Sequence, residues 1–249
     1  MKPNRVAVAA SLIAIAVGAF FVFTDPGDTR AVTVTGAELV PMGAGYALTA
    51  KIDNPGGPDL LTGIGSEDGD RAMLSGGTGP LAIPSDSTPG LAMDGVHGML
   101  VGLTGDTSEG RLVPVALWFE GAGKVTTRAR ITGGMEMDYS SGFDVPAGEP
   151  RPTISTLVTP EGEGWAIDLE TGDFTFSKDA VDGAHEPGIG HGHLYLNGLK
   201  LQRVFGTKVT IGALPKGKYE LRVTLNTNDH RAFRVDGQKV MATAKVNVD

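Results

Sequence analysis

From Ala31 to about Ile131 the chain reads as short runs in which apolar and polar positions alternate. "AVTVTG" and "YALTAKI" keep a strict period of two, which is the pattern of a strand with one buried face. "GMLVGL" and "RLVPVALWFEG" are apolar runs of strand length, bounded by clusters of Gly, Pro, Asp and Ser. Residues 133–152, "GGMEMDYSSGFDVPAGEPRP", hold no period and predict a linker. From Thr153 the strand pattern returns in "TISTLVTP", "GWAIDLET", "HLYLNG", "LQRVFG", "KVTIGAL", "YELRVTLNT" and "VMATAKVNV", separated by the turn signals "LNGL", "PKGK" and "VDGQ". The pattern predicts an all-β protein with two β-sandwich domains of cupredoxin-like or immunoglobulin-like type, at residues 31–132 and 153–249.

The N-terminus breaks this pattern. Two positive charges in "MKPNR" precede an uncharged apolar run from Val6 to Phe23, about long enough to cross a bilayer core. Asp25 and Asp28 follow it, so the charge asymmetry predicts an N-terminus inside and the bulk of the chain outside. No small-x-small cleavage signal follows the run. Residues 1–30 are therefore read as a signal anchor and short spacer, with a single-pass transmembrane helix at 6–23 in the inner membrane and the domains in the periplasm. The alternative is secretion to the periplasm after cleavage. A lipoprotein anchor is excluded by the absence of Cys.

Composition agrees with short strands and turns: 41% hydrophobic, 37 Gly and 15 Pro in 249 residues. The net charge is −8 and the 21 basic residues form no stripe, which argues against a nucleic-acid partner. Without cysteine, any metal must be held by His, Met, Asp, Glu or backbone, so the five His and eight Met carry the chemical information.

The histidines fall into two constellations. In "DGVHGMLVGL", His97 and Met99 are two apart, so a strand would point both to one face with Cβ atoms roughly 7 Å apart. An imidazole beside a thioether suits Cu(I); the alternative is core packing by Met99 and a strand-edge role for His97. In "HEPGIGHGHLYLNG", His191 and His193 repeat the i, i+2 spacing. His230 in "LNTNDHRAF" follows a strong strand, and its neighbours Asn228 and Asp229 are placed to orient a ligand imidazole. His185 lies on the approach to the pair, and Met241 in the last strand is a further thioether. The alternative here is a polar turn whose His residues bond their own backbone.

The stretch "GVHGMLVGL" with the following "SEGRLVPVALWFEGAGKVTTRARI" resembles the closing half of the periplasmic copper chaperone family PCuAC, and "GYALTAKIDNPGGPDLLTGIGSEDGDRAML" is similar to its earlier strand pair. The resemblance covers roughly residues 31–131 and implies His97 and Met99 as the last two ligands of the family's pattern. Where that pattern has His-Glu-Met, this chain reads "RAMLSGG", which leaves Met73 as the best remaining candidate, Met93 as a poorer one, and the set one ligand short. The second unit resembles a β-domain that follows some PCuAC proteins, on the strength of "HEPGIGHGHLYLNG", "LPKG" and "RVTLNTNDH".

These observations lead to an exported, membrane-anchored copper-binding protein. It would carry Cu(I), Cu(II) or both, and pass copper to a periplasmic acceptor protein. His191, His193 and His230, with His185 and Met241 as auxiliaries, would form one site, and Met73, His97 and Met99 another. The alternative is a pair of sandwiches that binds a partner protein and retains only a vestigial copper site. No G-x-S-x-G, H-E-x-x-H or P-loop is present, so no enzymatic activity is expected; a hydrolytic zinc would need Glu186 beside the H-x-H pair.

Overall fold

The computed structural model describes residues 31–77, 79–133 and 142–249. The apolar run at 6–23 lies outside them; among the described residues no helix is long and apolar enough to cross a membrane. Those residues form an all-β structure. The first half contributes β1 (Thr33–Met42), β2 (Gly45–Asp53), β3 (Asp59–Gly65), β4 (Gly69–Ser75), β5 (Leu81–Ile83), β6 (Gly90–Leu91), β7 (His97–Leu103), β8 (Leu112–Phe119) and β9 (Gly123–Ile131). The second half contributes β10 (Phe143–Asp144), β11 (Thr153–Glu161), β12 (Gly164–Gly172), β13 (Thr175–Phe176), β14 (Ile189–Leu196), β15 (Leu199–Val204), β16 (Lys208–Ile211), β17 (Gly217–Thr227), β18 (Phe233–Val235), β19 (Gln238–Lys239) and β20 (Met241–Val248).

The two halves are hydrogen-bonded to each other. One path of strands runs β20-β17-β14-β15-β6-β2-β1-β9-β8-β3-β5, and the two-residue strand β6 is its junction. Gly90 pairs with Lys51 of β2 on one side and with Lys200 of β15 on the other. Two three-stranded sheets, β11-β12-β16 and β10-β18-β19, complete the structure. A single buried apolar cluster runs through both halves, joining Ile52, Leu100 and Leu117 to Ile167, Leu194 and Val223. Burial of this kind, at roughly 25 cal/mol per Å² of apolar surface, is the main term holding sheets together.

The centre of the second half is β14, "IGHGHLYL", which is buried on both faces from Gly190 onward. One face carries His191 and His193. The other carries Gly190 and Gly192, where neighbouring strands close in: a Cβ at Gly190 would stand 2.0 Å from the Asn226 carbonyl oxygen and 3.3 Å from Phe174, and one at Gly192 would stand 3.0 Å from Val204 Cβ. The alternation of Gly and His thus has a packing reason, with no room for a side chain on one face and imidazoles on the other.

Asn197 and Gly198 turn β14 into β15 with both φ angles positive, at 46° and 86°. This is the two-residue hairpin that an Asn-Gly pair favours. The tip of the hairpin receives the turn before β7: Val96 N donates to Gly198 O at 2.9 Å. Gly95 allows the approach, since a Cβ there would lie 2.6 Å from the same carbonyl and 3.3 Å from the Tyr195 ring. Gly95→Ala is expected to destabilise the protein by about 1–3 kcal/mol through overpacking. Gly57→Ala, which would meet nothing within 4 Å, should stay within about 0.5 kcal/mol of wild type. Urea unfolding of both variants checks the difference.

Candidate metal centre

The strand β14 and the loop after β17 bring three imidazoles together. His191 and His193 project from the same face of β14, and His191 Nε2 lies 2.9 Å from His193 Nε2. His230 reaches them from the turn that follows β17, with its Nδ1 3.1 Å from His191 Nε2. One nitrogen from each ring lies within 4.8 Å of the others. His191 and His193 are fully buried, and His230 is about a quarter exposed.

Hydrogen bonds on the far side of two rings decide which nitrogens face inward with a lone pair. His193 Nδ1 lies 2.8 Å from Asp94 Oδ2 and 3.2 Å from Tyr195 Oη. The Tyr195 hydroxyl donates its own proton to Asp94 at 3.0 Å, so both groups facing Nδ1 are acceptors. The neutral ring therefore carries its proton on Nδ1, and Nε2 keeps a lone pair. His230 Nε2 donates to Asp182 Oδ1 at 2.5 Å, which leaves Nδ1 as the lone pair. His191 has no such partner, and its buried Nδ1 makes no hydrogen bond.

The proton of the third ring has two places. On Nε2 it bonds one of the two lone pairs that face it, while Lys200 Nζ stands 3.4 Å from the other, on His193. On Nδ1, which has no partner, it leaves all three inward nitrogens with lone pairs, the tautomer a cation at the convergence point would take up. The Asp94–His193 and Asp182–His230 pairs are the carboxylate–imidazole arrangement that orients metal ligands.

The electrostatics keep His191 and His193 unprotonated. Burial, reinforced by the positive charge that His193 and His230 would carry, pushes His191 down from 6.5 to about 3. Burial likewise pushes His193 down to about 4, against the pull of Asp94. Burial opposes the charge on Asp94, but the hydrogen bond with His193 and the Lys200 ammonium outweigh it and hold the carboxyl below its ordinary range. Burial lowers Lys200, with Asp94 partly compensating. Burial and the Asp94 carboxylate together raise the Tyr195 phenol.

Backbone geometry at the site is unusual. His230 and Asp182 both adopt left-handed conformations, with φ of 70° and 67°, which non-glycine residues seldom do. Local bonds hold them there: His230 N donates to Thr227 O and Asp182 N to Asn228 O, and Asn226 Nδ2 donates to His230 O at 3.1 Å.

The remaining candidate residues lie elsewhere. His185 packs its ring 4.0 Å from that of Phe143 and places Nε2 3.1 Å from Glu149, so it faces an aromatic pocket and is not one of the three clustered imidazoles. Met241 is exposed and pairs with Thr224, which pairs with His193. Two strand spacings, roughly 10 Å, thus separate it from His193. Asn228 and Asp229 touch no imidazole: Asn228 Nδ2 bonds Ala184 O, and Asp229 bonds Thr227 and Arg231. Asn228 instead holds the loop that carries Asp182. Glu186 is exposed and forms a backbone bridge with Ile189; the carboxylates that meet the cluster are Asp94 and Asp182. The pairing of β4 with β7 sets Met73 directly across from Met99, and Ser75 across from His97. Alternation along β7 puts His97 and Met99 on one face, and His97 Nδ1 is 3.2 Å from Gly95 O, which leaves Nε2 free to accept.

The sequence reading missed Asp94 and Asp182. Asp182 had a local signal in the turn pair "DG" of "KDAVDGAHEP", close to His185. Asp94 had none, because its partner Tyr195 is 101 residues away and the two meet only through the docking of Gly95 on the β14–β15 hairpin.

The depressed His191 and His193 values predict how metal-free stability depends on pH. The unfolded chain, with imidazoles near 6.5, binds more protons than the folded one between that value and about 4. Stability is therefore fully present above about pH 6.5 and is lost as pH falls toward 4. The urea midpoint of the metal-free protein should be lower at pH 5 than at pH 7.5, and His191→Ala/His193→Ala should flatten the difference. Equal wild-type midpoints at the two pH values would contradict the burial argument.

Comparison with known proteins adds a family for part of the chain. Residues 18–131, somewhat under half of it, match the family model described as "Putative lipoprotein LpqE-like". Among solved structures, the copper-bound PCuAC domain from PmoF2 is 24% identical, with a TM-score of 0.37, and the alignment covers 40% of this chain and 91% of that one. The apo PCuAC domain from PmoF1 is also 24% identical, with a TM-score of 0.37, covering 40% of this chain and 92% of that one. A search of curated proteins finds no match. The first half of the chain, over residues 18–131, thus carries a domain of the LpqE-like family.

Proposed function

We propose that this protein is an exported copper carrier and that His191, His193 and His230 hold the ion. The observation that carries this reading is the convergence of three buried or half-buried imidazole nitrogens, two of them oriented by carboxylates and the third left without a partner on its far side. The family's description as lipoproteins and the apolar run at 6–23 support export, with the two β units read as sandwiches on the periplasmic side.

The choice of metal follows from the angles. With metal–nitrogen bonds of about 2.0 Å, a tetrahedral ion needs every N···N separation near about 3.3 Å. Separations of 2.9 and 3.1 Å correspond to angles of about 90–100° at such bond lengths, narrower than the tetrahedral angle. Cu(II) favours square, tetragonal geometry with nitrogen donors, whereas Zn(II) favours the tetrahedron. The face formed by Met73, Met99 and His97 has the soft donors that suit Cu(I), so the chain offers one site for each oxidation state. Delivery to a periplasmic acceptor would proceed by ligand exchange. His230, on a turn and partly exposed, is the ligand an acceptor reaches first.

The full chain in detergent, loaded with Cu(II) and desalted, should retain one ion per molecule at the triad with an axial EPR spectrum split by nitrogen. His191→Ala/His193→Ala should lose that signal, and equal retention by wild type and double variant would overturn the assignment. Asp94→Asn is expected to weaken Cu(II) binding about 10–100-fold in a competition titration, with the circular dichroism spectrum unchanged. Cu(I) competition should respond to Met73→Leu/Met99→Leu and not to the triad variant; equal responses would sink the division by oxidation state.

A further inference from the structure

The triad opens onto a cavity of about 440 Å³ between the two halves, and its walls carry groups that the copper reading leaves unused. Lys200 and Arg203 from β15 stand on one side, and Met93 and Asp94 from the turn before β7 on the other. Lys200 Nζ donates to Asp94 at 2.7 Å and lies 3.4 Å from His193 Nε2. That nitrogen is one of the three lone pairs at the convergence point. Arg203 lies 3.5 Å from Asp182, the partner of His230.

This placement creates a specific conflict once an ion is bound. A divalent cation about 2 Å from His193 Nε2 brings a second positive charge to within a few ångström of the Lys200 ammonium. Like charges that close, away from bulk water, repel one another strongly. The two carboxylates that touch the triad are already engaged, Asp94 by His193, Tyr195 and Lys200 and Asp182 by His230 and Arg203; Glu38 lines the same cavity. The three imidazoles meanwhile leave the fourth corner of a tetragonal ion unfilled. Among the residues that line the cavity Met93 has the only sulfur.

We infer that the fourth position takes a small exogenous anion, a carboxylate or an inorganic monoanion, bonded to the ion on one side and hydrogen-bonded by the Lys200 ammonium on the other. The anion sits between two cations that would otherwise repel, and charge-assisted hydrogen bonds of this kind are among the stronger ones. The cavity is at the lower end of the size range of small-molecule sites, large enough for a carboxylate and not limited to water. Arg203 adds positive potential on the same wall. Met93 is the competitor for this corner.

The inference rests on the copper reading, and the test separates the two. The full chain in detergent is loaded with Cu(II), desalted, and titrated with azide, then with acetate and bicarbonate, while EPR and near-ultraviolet absorption are recorded. Azide should shift the EPR parameters and produce an azide-to-copper charge-transfer band that saturates, and acetate or bicarbonate should displace it. Lys200→Met should retain Cu(II) and weaken azide binding at least tenfold. Loss of copper on desalting from the wild type overturns both the copper reading and this one. A retained ion that azide does not perturb overturns the anion site alone, and a change in that spectrum on Met93→Leu then assigns the fourth corner to the thioether. Equal azide affinity in wild type and Lys200→Met overturns the role of the ammonium. Competition by acetate but not bicarbonate, or the reverse, identifies the source of the anion.

Discussion

The Asp94 carboxylate is where the two halves of the molecule become one site. It comes from the first half, yet its partners are His193, Tyr195 and Lys200 of the second, at 2.8, 3.0 and 2.7 Å. A partly buried carboxylate is costly unless it is paired and hydrogen-bonded, and these three groups meet that requirement. The same contacts fix the proton of His193 on Nδ1 and so turn its Nε2 toward His191. The orientation of a ligand on β14 therefore depends on a residue nearly a hundred positions earlier, and on the docking of Gly95 against the Asn197–Gly198 hairpin that delivers it.

The three imidazoles are held in unequal ways. His191 and His193 belong to a strand hydrogen-bonded to β17 and β15, with aromatic rings packed under the intervening glycines. They form a rigid floor. His230 stands on a turn at φ 70°, a conformation that costs a non-glycine residue on the order of 1 kcal/mol or more. Its carboxylate partner Asp182 shares the left-handed backbone and is largely exposed. Strain is retained only where surrounding bonds over-determine it, and here the carbonyls of Thr227 and Asn228 and the side chain of Asn226 do so. Two fixed imidazoles with a third on a strained turn form the arrangement that the proposed entry and release of an ion would use.

Much of this was legible from the chain, though unevenly. Alternation of apolar and polar positions located most of the strands, and the i, i+2 spacing put His191 and His193 on one face before any coordinates were considered. His230 was legible because a turn after a long strand returns to its neighbours. His185 was not, since proximity in sequence says nothing about where a loop side chain turns, and the rings of Phe143 and Phe233 draw it away. Met241 failed for another reason: it shares a row with His193, but an intervening strand keeps it out of reach. Asn228 and Asp229 were expected at the imidazole; Asn228 acts one step further out, on the Asp182 loop, and Asp229 bonds Thr227 and Arg231 within its own turn. Asp94 lay beyond sequence reasoning, because only the pairing of β6 with β15 and the seating of a turn on a hairpin bring it to His193.

The short stretch "MDGVHGM", residues 93–99, explains why both candidate sites depend on the same few residues. Its two glycines are fixed by packing on opposite sides. A Cβ at Gly95 would collide with Gly198 O at 2.6 Å, and one at Gly98 would come within 2.5 Å of Ile64 and 2.9 Å of Leu48. The segment is thus clamped between the hairpin of the second half and the core of the first. Clamping sets the side chains around the glycines: Asp94 toward the triad, Val96 into the core, and His97 with Met99 across from Ser75 and Met73. One strap thus carries both the carboxylate that orients His193 and the His97–Met99 pair. That strap, more than either half's own sheet, ties the chemistry of the LpqE-like domain to that of the histidine cluster.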